Sequence, residues 1–143
     1  MIILILLTMI RKDQTNNMIS VKGGSGKNKQ IILDAACFAY QYLIPRIRKC
    51  DINITCKTLS EDEWGYAWEY DDREFKVEIN KDLEGDDLLT TVFHEMVHVK
   101  QHVRGEWCDE GYRYKTVDEY ENLPWEKEAR ELQEVILAEW KKR

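Results

Sequence analysis

Residues Asp86 to Val103 contain no Pro or Gly, and their apolar side chains recur at close to 3.6 residues. The spacing predicts a helix. Leu88, Val92, Met96, Val99 and Val103 fall on one side of it, and Leu89, Phe93 and Val97 widen that arc. His94 and His98 project from the opposite side, with Glu95 at its edge. A histidine that merely filled the core would belong on the apolar arc. Residues i and i+4 of a helix lie one above the other on the same face. Two imidazoles so placed can direct nitrogens at one metal ion. Glu95 then stands beside the ion's open position, where a carboxylate can take a proton from a bound water.

The chain has three histidines, at 94, 98 and 102. His102 continues the i, i+4, i+8 series, but a straight helix separates His94 from His102 by about 12 Å along its axis. One tetrahedral ion with bonds near 2 Å cannot reach both. His102 is therefore expected at the rim. A catalytic zinc needs a third protein ligand, which must come from elsewhere. Downstream, Asn122 can cap a helix, Pro124 suits a first turn, and acidic residues follow at once. That helix is expected to run to about Trp140. Glu126 and Glu128 both lie at the edges of its apolar arc, so periodicity leaves both open as the ligand. Their simpler role would be to complement the helix dipole.

The two segments together resemble a known family. His94-Glu95-Met96-Val97-His98 matches the helix of zincin metallopeptidases. Pro124-Trp125-Glu126-Lys127-Glu128-Ala129 resembles the P-x-E-x-x-A pattern of small single-domain zincins of phage and bacterial genomes, distant relatives of the ImmA/IrrE-like and SprT-like groups. The resemblance implies a zincin-like α+β fold with Zn²⁺ held by His94, His98 and Glu126. It implies Glu95 as the catalytic base and a protein or peptide as substrate. Two other readings stand beside it: a non-catalytic metal-binding module, and a regulatory protease that inactivates one partner, such as a repressor.

Elsewhere the pattern predicts a helix over residues 29–49, with Ile32, Ala35, Ala36, Ala39, Tyr40 and Leu43 inward and Pro45 bending or ending it. Strands are expected over residues 51–58, 64–70 and 74–80, joined by a turn at Asp71-Asp72. The expected order is an N-terminal helix, a small antiparallel sheet, the motif helix, a loop over residues 104–121, and the C-terminal ligand helix. Glu74–Asn80 is the candidate edge strand for an extended substrate. Tyr112 and Tyr114, in the loop, are candidate donors to a tetrahedral oxyanion.

Residues 30–143 are expected to form the metallopeptidase domain, preceded over residues 1–29 by an apolar extension and a flexible linker. The run from Ile2 to Ile10 is too short to span a bilayer, and Arg11 and Lys12 follow it rather than precede it as in a signal peptide. Translation is expected to start at Met18, or the first segment to be dispensable; a short membrane-associating anchor is the alternative. Gly23-Gly24-Ser25-Gly26-Lys27 is not a phosphate-binding loop, because Val21 and Asn28 stand where that loop needs Gly and Ser or Thr. With 143 residues the chain is the size of one domain. A net charge of −6 speaks against a nucleic-acid-binding face. The four cysteines form no C-x-x-C pair, and Cys37 and Cys56 sit in apolar patterns, which fits a reducing, cytoplasmic setting. A membrane is not an expected partner.

Overall fold

Ile52, Ile54 and Cys56 alternate with polar residues, and so do Phe75, Val77 and Ile79. Such alternation suits strands with one face on a core. A computed structural model describes residues 8–12, 18–107 and 116–143, the first of these by backbone alone. Its five strands are β1 (Thr8–Lys12), β2 (Met18–Lys22), β3 (Asp51–Lys57), β4 (Gly65–Asp71) and β5 (Glu74–Asn80). They form one sheet in the order β1-β2-β3-β5-β4. All six alternating residues of β3 and β5 are buried, as are Ile19 and Val21 of β2.

The α+β class holds, but the sheet is mixed rather than antiparallel. β1·β2 and β4·β5 are antiparallel, whereas β2·β3 and β3·β5 are parallel. β3 and β5 are parallel because β4 lies on the far side of β5 rather than between them. The other parallel pair involves β2, which sequence reading placed in the extension and linker. Helix α1 (Gly26–Leu43) leaves β2 and returns the chain beside it, and such a crossover makes the flanking strands parallel. The glycine-rich segment is the tight turn into that helix. Gly23 has φ +81°, and a Cβ there would stand 2.1 Å from the Cys56 carbonyl oxygen. Ser25 Oγ caps α1 by accepting from the Asn28 amide at 3.1 Å. Pro45 follows the end of the helix, so α1 occupies residues 26–43 and not 29–49.

β5 is an interior strand, paired on both sides, so it is not the edge expected from its place before the motif helix. The edge is β4, whose Tyr66, Trp68 and Tyr70 are exposed. The three buried apolar residues of β5 favour the middle of the sheet.

Helix α2 (Gly85–Val103) carries Asp86 and Asp87 in its first turn and Lys100 and His102 in its last, matching the helix dipole at both ends. It packs on α1, β4 and β5. A short helix α3 (Val117–Glu121) precedes α4 (Pro124–Lys142), which begins at Pro124 and lays Ala129, Ile136 and Leu137 into the core. α4 packs along the face of α2 that carries His94 and His98. Phe38, Phe93 and Trp140 join α1, α2 and α4, with ring centroids 5.4–6.4 Å apart. Among the described residues, no helix is long and apolar enough to cross a membrane.

Candidate metal centre

Because α4 covers it, the polar face of α2 is not a solvated face. Glu95 and His98 are each 5 % exposed, and His94 is half-buried. One donor atom from each of these three residues lies within 4.8 Å of the others, so the group stands at metal-binding distance. Glu126, 4 % exposed in the first turn of α4, meets both imidazoles. Its Oε2 is 3.2 Å from His94 Nε2 and its Oε1 is 3.0 Å from His98 Nε2. Glu128 turns away and accepts from Gln101 Nε2 at 2.9 Å and Lys100 Nζ at 3.1 Å. Of the two glutamates that periodicity left open, Glu126 is brought to the histidines and Glu128 is not.

The other ring nitrogens are held by two glutamines. His94 Nδ1 lies 2.7 Å from Gln133 Oε1, and His98 Nδ1 lies 2.7 Å from Gln101 Oε1. Gln101 is 1 % exposed, and its amide nitrogen serves the Trp125 carbonyl and Glu128, both acceptors at 2.9 Å. That fixes which end of the amide faces His98. An amide oxygen only accepts, so Nδ1 of His98 donates. The same reasoning assigns Gln133, whose amide nitrogen donates to Glu134 at 3.2 Å. Each imidazole therefore faces an acceptor oxygen at both nitrogens. The space between the two Nε2 atoms and the Glu126 carboxylate calls for positive charge, which two protons or one cation would supply. Bonds of 2.0–2.1 Å to a tetrahedral zinc place ligand atoms about 3.3 Å apart. The separations of 3.0 and 3.2 Å are close to that edge. The grouping of His94, Glu95 and His98 is compatible with a metal ion.

The electrostatics follow from burial and proximity. Burial pushes the Glu95 carboxyl above its ordinary pKa; the charges of His98 and His94 pull it back only in part, and Glu126 adds to the rise. Burial alone would lower the pKa of His98, but the hydrogen bond to Glu126 and the charges of Glu95 and Glu126 outweigh it and raise the net value. Burial works to raise Glu126 as well, yet its hydrogen bonds to His94 and His98 and their charges hold it well below the usual carboxylate range.

A cleft of about 1000 Å³ opens over this group between β4 and α4. Trp107, Leu123 and Trp125 wall the side next to His98, with Trp107 5.1 Å from both the His98 and the Trp125 ring. Gln133, Arg130 and Thr90 line the side next to His94. His102 is half-buried and stacked on Trp107 at 4.7 Å and 22°. Tyr112 and Tyr114 lie outside the described residues. Sequence reasoning missed Tyr120, whose hydroxyl donates to Glu126 Oε1 at 3.0 Å, and both glutamines. A signal was present for the latter: Gln101 is at i+3 from His98, and Gln133 at i+7 from Glu126, each on the face of its helix that carries the site. Comparison of the chain with protein-family models, curated proteins and solved structures found no match.

Proposed function

We propose that the chain is a zinc-dependent peptidase that hydrolyses peptide bonds in the cleft between β4 and α4. The observation that carries this reading is the convergence of His94 Nε2 and His98 Nε2 on the two oxygens of Glu126, with buried Glu95 lining the same cleft. In the proposal His94, His98 and Glu126 hold Zn²⁺. When bound, the ion polarises a carbonyl and lowers the pKa of a coordinated water toward neutrality. Glu95 receives a proton and returns it to the leaving amine. Burial favours its protonated form, which suits a group that takes up a proton. Gln101 and Gln133 fix the ring orientation and tautomer of the histidines. Tyr120 orients Glu126.

The fold supplies a place for an extended chain. Among the described residues β4 pairs with β5 alone, and Gly65, Tyr66 and Ala67 line the cleft. A peptide added to that free edge would form backbone hydrogen bonds beside Glu95. The β5 role expected from sequence passes to β4.

Metal analysis of the purified protein, joined to peptide hydrolysis by wild type and Glu95→Gln, tests the reading. The expected result is about one zinc per chain in both, with activity reduced roughly 10²–10⁴-fold in the variant. Zinc-loaded Glu95→Gln that cleaves at the wild-type rate would remove Glu95 as the base. Protein that takes up no zinc would remove the peptidase reading.

A further inference from the structure

Arg130 is a half-buried cation lining the cleft, and among the described residues it makes no hydrogen bond or ion pair. The ordinary partner of such an arginine is a glutamate one helical turn earlier. That residue is Glu126, and both of its oxygens are engaged by His94, His98 and Tyr120. One turn later stands Glu134, whose Oε1 accepts from Gln133. Among the described residues lining the cleft, Arg130 is the only Lys or Arg, and Asp62 and Glu63 just before β4 and Glu121 on α3 are acids. A guanidinium offers a planar fork of donors that matches a carboxylate at two points. Partial burial strengthens such a pair relative to one in open water. A carboxylate near Asp62, Glu63 or Glu121 would meet like charge.

We propose that Arg130 is a specificity-determining residue that receives a carboxylate of the peptide substrate. The carboxylate is either an Asp or Glu side chain or the free C-terminus of the peptide. This rests on the peptidase reading above. Along α4 the order is Leu123 and Trp125, then Glu126, then Arg130 and Gln133. The substrate is therefore gripped by apolar surface on the His98 side of the metal residues and by Arg130 on the His94 side. The acids near β4 and on α3 disfavour the carboxylate at their own positions.

The test uses zinc-loaded wild type, Arg130→Ala and Arg130→Glu, with zinc content and circular dichroism confirming that each is folded. Each is given the same mixture of short N-acetylated peptides, with and without one Asp or Glu, with free or amidated C-termini, and mass spectrometry reads the products. In wild type, removing the preferred carboxylate should lower cleavage roughly ten- to a hundredfold. That gap should close in Arg130→Ala, and Arg130→Glu should favour peptides bearing Lys or Arg. Loss on amidation alone identifies the C-terminus; loss on Asp→Asn or Glu→Gln change alone identifies a side chain. An equal preference in wild type and Arg130→Ala, or none in wild type, overturns the proposal. If zinc-loaded wild type cuts nothing, the peptidase reading fails separately. Binding of the same peptides, followed by tryptophan fluorescence, then decides the role of Arg130. Carboxylate-dependent binding that is lost in Arg130→Ala sustains the carboxylate site. Binding that ignores the carboxylate, or none, overturns it.

Discussion

Gln101 Oε1 lies 2.7 Å from Nδ1 of His98, and the amide nitrogen of the same side chain ties α2 to α4 through Trp125 and Glu128. One fully buried glutamine thus aims the imidazole and joins the two helices. Replacing it with alanine leaves His98 Nδ1 and the Trp125 carbonyl without these partners. The expected costs are about 1–3 kcal/mol of stability and roughly 10–100-fold in zinc affinity. Chemical denaturation and competition with a chelating dye measure the two effects. Unchanged zinc affinity in a folded Gln101→Ala would show that the hydrogen bond does not hold the ring.

Glu126 and Glu128 stand two residues apart and should behave oppositely. Glu126→Ala should lose zinc by more than the roughly 10–100-fold typical of an outer partner. Glu128→Ala should retain it, because its carboxylate answers to Lys100 and Gln101. Equilibrium dialysis against buffered zinc separates the two. Retention by Glu126→Ala and loss by Glu128→Ala would reverse the assignment.

Gly65 permits β4 to approach α2. A Cβ at that position would stand 2.9 Å from the Glu78 carbonyl oxygen, 3.1 Å from Thr91 Cγ2 and 3.3 Å from Glu95 Cγ. The backbone oxygen cannot swing aside as a side chain could. Gly65→Ala should cost about 1–3 kcal/mol. It should also lower hydrolysis while sparing zinc, since the crowding falls on Glu95 and not on the histidines. Denaturant midpoints and metal content check both halves.

Cys50 is buried at the start of β3, and burial pushes its thiol up to about 12, with Arg73 and a hydrogen bond from Tyr40 opposing the shift only in part. The folded state keeps this proton to about pH 12, whereas an unfolded thiol releases it near 9.0. Stability from this group is therefore full below pH 9 and is lost as the pH rises from 9 toward 12. Cys50→Ala should show a shallower decline across that window than wild type. Native protein should also leave Cys50 unalkylated by iodoacetamide at pH 8, and rapid labelling would show that the site opens.

The motif helix was legible to within a residue because α2 runs on strong apolar periodicity with no breaker. β5 was legible in full because Phe75, Val77 and Ile79 alternate without interruption. Pairing order was not. Which strands neighbour each other depends on the crossover through α1, and β2 was too short and too close to glycines to read as a strand. The interior position of β5 comes from its pairing with both β3 and β4, which puts β4 rather than β5 at the edge. At the site, i and i+4 spacing brought out His94 and His98, and the family resemblance singled out Glu126 over Glu128. Periodicity on one helix could not say which face of α4 would meet α2, so the contact of Tyr120 with Glu126 and the place of Arg130 in the cleft emerged only from the packing.

His94 and Glu126 are 32 residues apart in sequence yet share one small volume. A cation gripped by both would act as a cross-link and remove loop-closure freedom from the unfolded chain, as a disulfide does. For a loop of this size the chain-entropy estimate is on the order of 3–4 kcal/mol. The same atoms proposed for chemistry would then fasten the C-terminal helix to the body of the fold. A chelator would weaken the anchorage of that helix at its first turn, and the effect would extend down the α4 face that carries Ala129, Ile136 and Leu137.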